Sequence, residues 1–201
     1  MSDPRLQTAL QHRSEAKGLS IGLREIKDRG MIDLRGLAEQ PGFADAVKSV
    51  LQVDLPREPR TSASWGDIKV LWLSTDQWLT LCPLSKTAEL HRRLRETLAN
   101  VHSLVVDVSD MRSVIRLEGK GVREVLLKGC SLDLLGGGYA PSTVRRVRFA
   151  EIAALLHVID DDVIDLYVFR SYADYAWEFL ETAARPGAAL ALFGKQDIPA
   201  V

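Results

Sequence analysis

Residues 68–81, Ile-Lys-Val-Leu-Trp-Leu-Ser-Thr-Asp-Gln-Trp-Leu-Thr-Leu, set two apolar, β-rich runs on either side of the polar turn Ser74-Thr75-Asp76-Gln77. That pattern is a β-hairpin. Within residues 84–98 Leu90, Leu94 and Leu98 then recur one helical turn apart, so an amphipathic helix follows. The same succession returns downstream. Ala153 to Ile159 and Val163 to Phe169 flank Asp160-Asp161-Asp162 as a hairpin, and residues 172–184 read as a helix with Tyr175, Phe179 and Thr182 near one stripe and Trp177 beside it. Upstream of the first hairpin, Leu19 to Ile26 alternates apolar and polar residues, Lys27 to Gly30 supplies a turn, and Met31 to Leu34 continues, which predicts another hairpin. A short helix follows, with Pro41 at its first turn and Phe43, Ala46, Val47, Val50 and Leu51 at helical spacing. In the second half Ser103 to Val108 and Val114 to Leu117 read as a strand pair, and Val122, Val125 and Leu126 as a short helix. The offsets agree: 103 − 19 = 84, 153 − 68 = 85 and 163 − 78 = 85.

Two copies of a strand-strand-helix-strand-strand-helix unit are therefore expected. The fold class is α+β, with antiparallel sheets covered by helices. Residues 19–186 are expected to form one pseudo-symmetric domain, with repeats at about 19–100 and 103–185, between a polar, disordered leader at 1–18 and a tail at 187–201. Residues 55–62, with Pro56 and Pro59 and no periodic pattern, are expected to be a loop and an exposed contact arm.

Charge and length exclude several classes. The 201 residues carry 26 Lys and Arg against 27 Asp and Glu, so a basic nucleic-acid-binding face is not expected. The longest apolar run, Ala153 to Ile159, is far short of the roughly 20 residues that span a bilayer. The first residues lack the apolar core of a signal peptide, which predicts a cytoplasmic protein. Cys82 and Cys130 belong to no metal or disulfide framework and are expected to be unpaired structural thiols.

A search for chemistry finds little. Gly119-Lys120-Gly121 has Glu124 where the dinucleotide fingerprint needs its third glycine, and reads as a strand end and helix start. His12, His91, His102 and His157 share no ligand spacing, and the acidic tip Asp160 to Asp162 lacks the further oxygens that a cation needs. The aromatic clusters, Trp72 with Trp78 and Tyr172, Tyr175 with Trp177, together with Arg145, Arg146, Arg148 and Arg170, fit core or interface by residue type, with core the favoured reading from the buried preference of aromatics.

Four strings carry a family resemblance. Leu71-Trp72-Leu73-Ser74-Thr75-Asp76-Gln77-Trp78-Leu79 resembles the W-L-G-P-D-E-W-L hairpin of the gamma subunit of heterotetrameric sarcosine oxidase. Residues 106–114 are similar to its D-V-S-D-x-R-T segment, with Ser113 for Thr and Leu117-Glu118-Gly119 in place of L-S-G. Residues 125–134 resemble V-L-A-K-G-C-x-L-D-L, and Arg170-Ser171-Tyr172-Ala173-Asp174-Tyr175 resembles R-S-F-A-D-Y. The similarity runs from about Ser20 to Ala184.

The resemblance implies an aminomethyltransferase-like fold and a non-catalytic subunit of a complex that demethylates sarcosine to glycine, forming hydrogen peroxide and, with tetrahydrofolate, 5,10-methylenetetrahydrofolate. It implies no cofactor in this chain, with FAD, FMN, NAD and tetrahydrofolate in partner subunits. It also implies alpha, beta and delta partners, alpha in direct contact. A free-standing folate-binding protein is the alternative; it would need a buried carboxylate, for which Asp110, Glu118 and Asp133 are candidates. The expected docking surface joins Arg170, Ser171 and Tyr172 to the neighbouring loop of Gly137, Gly138 and Tyr139, because rigid scaffolds fix loop positions and Arg and Tyr supply contact area.

Overall fold

A computed structural model describes residues 7–14, 19–135 and 138–190 of the chain. In its first half the elements run β1 (Gly22–Glu25), β2 (Arg29–Arg35), α1 (Phe43–Leu51), β3 (Ser62–Trp65), β4 (Ile68–Ser74), β5 (Gln77–Pro83) and α2 (Leu84–Thr97). The second half repeats the order with β6 (Leu104–Asp107), β7 (Arg112–Glu118), α3 (Val122–Leu127), β8 (Val144–Phe149), β9 (Ile152–Asp160), β10 (Val163–Phe169) and α4 (Ala173–Ala183), a 3-10 turn at Arg170–Tyr172 leading into α4. The duplication expected from the offsets is present, with one strand more in each unit.

The described strands form two antiparallel sheets, ordered β3-β4-β5-β2-β6 and β8-β9-β10-β7-β1. Their registers match pair for pair. Met31 faces Leu81 and Val114 faces Tyr167; a bulge follows Trp72 opposite Trp78, and its counterpart lies beside Val158 opposite Ile164. Corresponding residues on β4 and β5 and on β9 and β10 therefore differ by 158 − 72 = 86, and those on β2 and β7 by 114 − 31 = 83.

Alternation along the strands produces three apolar layers. Ile32, Leu34, Val70 and Trp78 pack under α1 and α2, while Ile115, Leu117, Leu166 and Val168 pack under α3 and α4. Met31, Leu71, Leu79, Leu81, Val114, Leu155 and Tyr167 fill the space between the sheets. Rings anchor the outer layers: buried Phe43 lies 5.9 Å from buried Trp78, and buried Phe149 meets the half-buried Phe179 edge to face at 5.0 Å. Burial of each such ring contributes about 1.5–3 kcal/mol. Gly36 and Gly129 let two of these rings approach the backbone, since a Cβ there would stand 2.3 Å from Phe43 and 2.4 Å from Phe149.

Four local expectations are corrected. Residues 19–34 are not a hairpin, because β1 pairs with β7 and β2 with β5 and β6. The pair expected at 103–117 divides in the same way, β6 joining the first sheet and β7 the second. Thus each unit lends its first strand to the other unit's sheet. The Pro-rich stretch is not a free arm: Leu55 is buried, Trp78 Nε1 donates to the Pro56 carbonyl at 2.8 Å, and β3 starts at Ser62. Nor is the described part of the leader loose, since Leu10 is buried in the layer beneath α4 and Thr8 donates to Glu25.

Both cysteines are unpaired and buried, Cys82 in the first outer layer and Cys130 in the second. No described helix is long and apolar enough to cross a membrane.

Candidate functional site

The Arg170–Tyr172 turn caps β10 at one end of the molecule. Its backbone is fixed by a 3.0 Å bond from the Arg170 amide to the Met111 carbonyl. The Arg170 guanidinium donates to the Gln7 carbonyl and stands 3.7 Å from Asp110. A pairing of Arg170 with Asp174 one turn on does not form, because Asp174 accepts from His12 at 2.9 Å and Arg13 at 3.0 Å. Around the turn Phe169, Tyr172 and Tyr175 are 37%, 46% and 40% exposed. Ala9, Met111, Phe169, Arg170, Ser171 and Tyr172 line one shallow hollow. Exposed aromatic and arginine side chains on a fixed turn have the composition of an interface centre. Trp72, Trp78 and Trp177 instead pack into the outer layers.

The glycine-rich loop lies elsewhere, which corrects the single surface expected above. Gly137 falls outside the described residues. Gly138 is exposed at φ 110°, and Tyr139 is half-buried with the Arg145 guanidinium 5.5 Å from its ring. Arg123 ties this loop to the β9–β10 tip, donating to the carbonyls of Tyr139, Asp161 and Leu134 at 2.9, 3.2 and 3.0 Å. Arg170 follows the opposite end of β10, about 23 Å away at some 3.3 Å per residue.

The candidate carboxylates do not converge. Glu118 pairs with Arg24 at 2.9 Å, Asp110 is 75% exposed beside Arg170, and Asp133 accepts from the Leu135 amide at 3.2 Å. Among the described residues Asp165 is the one acid shut off from solvent. It stands between the sheets on β10 and receives both arms of Arg116, at 2.6 and 2.9 Å. Beside it His157, also buried, shares a 3.0 Å hydrogen bond with Ser62 across the sheets. Burial holds the His157 imidazole down to about 4, with Asp165 opposing and Lys69, Arg29 and Arg116 reinforcing the shift. His157 Nδ1 and the Tyr167 hydroxyl have no hydrogen-bond partner among the described residues. Sequence reading placed His157 on a strand but missed Asp165; an acid inside the apolar run Val163-Ile164-Asp165-Leu166-Tyr167 was the signal.

The remaining histidines stand apart, with His12 on Asp174 and His91 on the Val105 carbonyl. No group of three or more metal-ligating side chains gathers among the described residues.

Comparison with known proteins follows the fold. Residues 35–185 match the sarcosine oxidase, gamma subunit family. Sarcosine oxidase subunit gamma of Corynebacterium sp. (strain P-1) is 32% identical over 138 residues, covering 68% of this chain and 66% of that protein. A chain of the heterotetrameric sarcosine oxidase from Corynebacterium sp. U-96, solved with pyrrole 2-carboxylate, superposes with a TM-score of 0.82 at 24% identity, over 91% of this chain and 96% of that one. Glycine cleavage system aminomethyltransferase T from Bartonella henselae shares the fold at a TM-score of 0.60 and 14% identity, over 87% of this chain and 48% of that one. The family match takes in the last residue of β2, the eight strands β3 to β10 and the Arg170–Tyr172 turn. The chain belongs to the sarcosine oxidase, gamma subunit family.

Proposed function

We propose that the chain serves as the gamma subunit of a heterotetrameric sarcosine oxidase and acts by docking rather than by chemistry of its own. In this reading its partners are alpha, beta and delta subunits, with alpha in direct contact. The partners carry FAD, FMN, NAD and tetrahydrofolate and convert sarcosine to glycine, hydrogen peroxide and 5,10-methylenetetrahydrofolate. The family match over residues 35–185 is the observation that carries the proposal.

The docking surface is the Phe169–Tyr172 end, not the glycine-rich loop. Two half-exposed aromatic rings flank an arginine whose backbone is already fixed, so little ordering entropy opposes contact there. The test is co-expression of a tagged chain with the other three subunits, followed by capture and measurement of bound flavin. Capture of flavin-bearing partners is expected, and Tyr172→Ala and Arg170→Ala should weaken it. Purification of the tagged chain alone, beside a fully assembled oxidase of the other subunits, would defeat the proposal.

A further inference from the structure

The duplicated register allows one end of the inter-sheet layer to be laid on the other. Through the 86- and 83-residue offsets, Lys69 corresponds to Leu155, Leu79 to Asp165, Arg29 to Arg112 and Asp33 to Arg116. By their pairing with Lys69 and Leu155, Ser64 corresponds to Arg146. At the first end Arg29 and Lys69 share the layer with the buried Asp165 carboxylate; burial and Arg29 hold the Lys69 ammonium below its ordinary value, and Asp165 works against them. That end carries its own anion.

At the second end no acid stands in the corresponding place, and the carboxylate present there is Asp33, at the position of Arg116. Leu79 occupies the place of Asp165, and Arg146 stands where the first end has a serine. What remains is a cavity of about 270 Å³ whose lining includes Leu73, Arg112, Arg146, Ala153, Leu155, Tyr167 and Phe169. Its floor is two rows of one sheet: Arg146, Leu155 and Tyr167 in register, and beside them Ala153, Phe169 and Arg112. Arg112 lies 5.2 Å from the Phe169 centroid and has no hydrogen-bond acceptor among the described residues. Burial makes its charged form harder to keep, with Asp33 opposing and Arg146 adding to the shift. Arg146 donates once, at 2.9 Å, to Gln77 Oε1, and Gln77 Nε2 donates to Asp33 at 2.8 Å. Two guanidiniums thus face one carboxylate that is already engaged. A partly desolvated guanidinium without an acceptor is unfavourable, and a planar monoanion remedies it.

We infer that this cavity binds a small organic monocarboxylate, its carboxylate held between Arg112 and Arg146 and its short apolar body against Leu73, Leu155, Tyr167 and Phe169. The volume lies just below the roughly 300–1,000 Å³ of drug-sized sites, which suits a small acid.

Calorimetric titration of the full chain with butyrate, and with butanamide as its neutral counterpart, tests the assignment. Butyrate should bind saturably and butanamide about tenfold more weakly or worse, the loss expected for a charge-assisted pair. Arg112→Gln and Arg146→Gln should each produce a loss of similar size, while Arg145→Gln, on the opposite face of β8, should change nothing. Ala153→Met fills the cavity while keeping both guanidiniums and should abolish binding, so the answer survives even if an arginine variant fails to fold. Equal affinity for acid and amide, no saturable binding of butyrate, or indifference to Ala153→Met would overturn the inference. So would butyrate binding that disappears when the chain is assembled with partner subunits, because the cavity would then receive an acidic side chain of a partner.

Discussion

Asp165→Leu places at the second sheet the residue that the first sheet has at Leu79, and the structure dictates its cost. Asp165 is fully buried and Arg116 is 18% exposed, joined by two bonds of 2.6 and 2.9 Å. Removing one partner of a buried pair costs about 3–5 kcal/mol because the other charge stays behind without compensation. Water reaches the edge of Arg116, which favours the lower figure. Arg29 and Lys69 also lose the anion they face. A loss of about 3 kcal/mol lowers the melting temperature of a chain this size by roughly 6–12 °C. Urea unfolding followed by circular dichroism measures it directly. The double variant Asp165→Leu/Arg116→Met puts apolar groups at both places and should return close to wild-type stability, since apolar replacements of buried pairs are neutral or stabilising by about 1–4 kcal/mol. A single variant within about 1 kcal/mol of wild type, or a double variant no better than the single, would refute the argument that an uncompensated charge sets the cost.

Other outcomes follow from the same geometry. His157 stays neutral in the fold down to about 4, whereas the unfolded chain protonates it below about 6.5. Its contribution is therefore complete above pH 6.5 and is lost as pH falls from 6.5 towards 4, by up to about 1.4 kcal/mol per unit. Urea midpoints over that range should fall more steeply for the wild type than for His157→Leu, and parallel slopes would contradict the assignment. Arg170→Ala removes only exposed contacts, so its unfolding free energy should stay within about 0.5 kcal/mol of wild type while capture of partner subunits weakens; normal assembly would move the interface elsewhere. Burial raises both thiols, Cys82 and Cys130, above the ordinary cysteine value. Ellman's reagent should report neither in the native chain and both in denaturant, and rapid native labelling of either would count against their buried placement.

Periodicity and turn residues made most of the elements legible, together with their duplication, because Leu90-Leu94-Leu98 and the Ile68–Leu81 run express local rules. Strand partners were not legible. Lys27-Asp28-Arg29-Gly30 looks like a hairpin turn, and nothing within a few residues reveals that the strands on either side bond to β7 and to β5 and β6 rather than to each other. β3 escaped notice because Ser62-Ala63-Ser64-Trp65 has too few apolar groups to signal a strand; it exists because β4 offers an edge. Leu10 gave no periodic signal, since a single apolar residue anchors its segment. At the functional site Arg170 and Tyr172 could be read as exposed from the abrupt start of α4. The distance to the glycine-rich loop and the cavity beside Arg112 depend on how two sheets register against each other, which no local pattern encodes.

The exchange of first strands also governs when the protein can fold during synthesis. The first sheet cannot complete its edge until β6 has emerged, and β1, made well before β7, waits for it before it has any strand to bond. Neither half is a folding unit, so a ribosome-bound first half presents an unfinished edge of β2 and an unpaired β1. Such edges invite mispairing, and long-range closures of this kind slow folding. Cutting the chain in the connection after α2 should accordingly yield two fragments that are unstable singly and fold when mixed, each supplying the strand the other lacks.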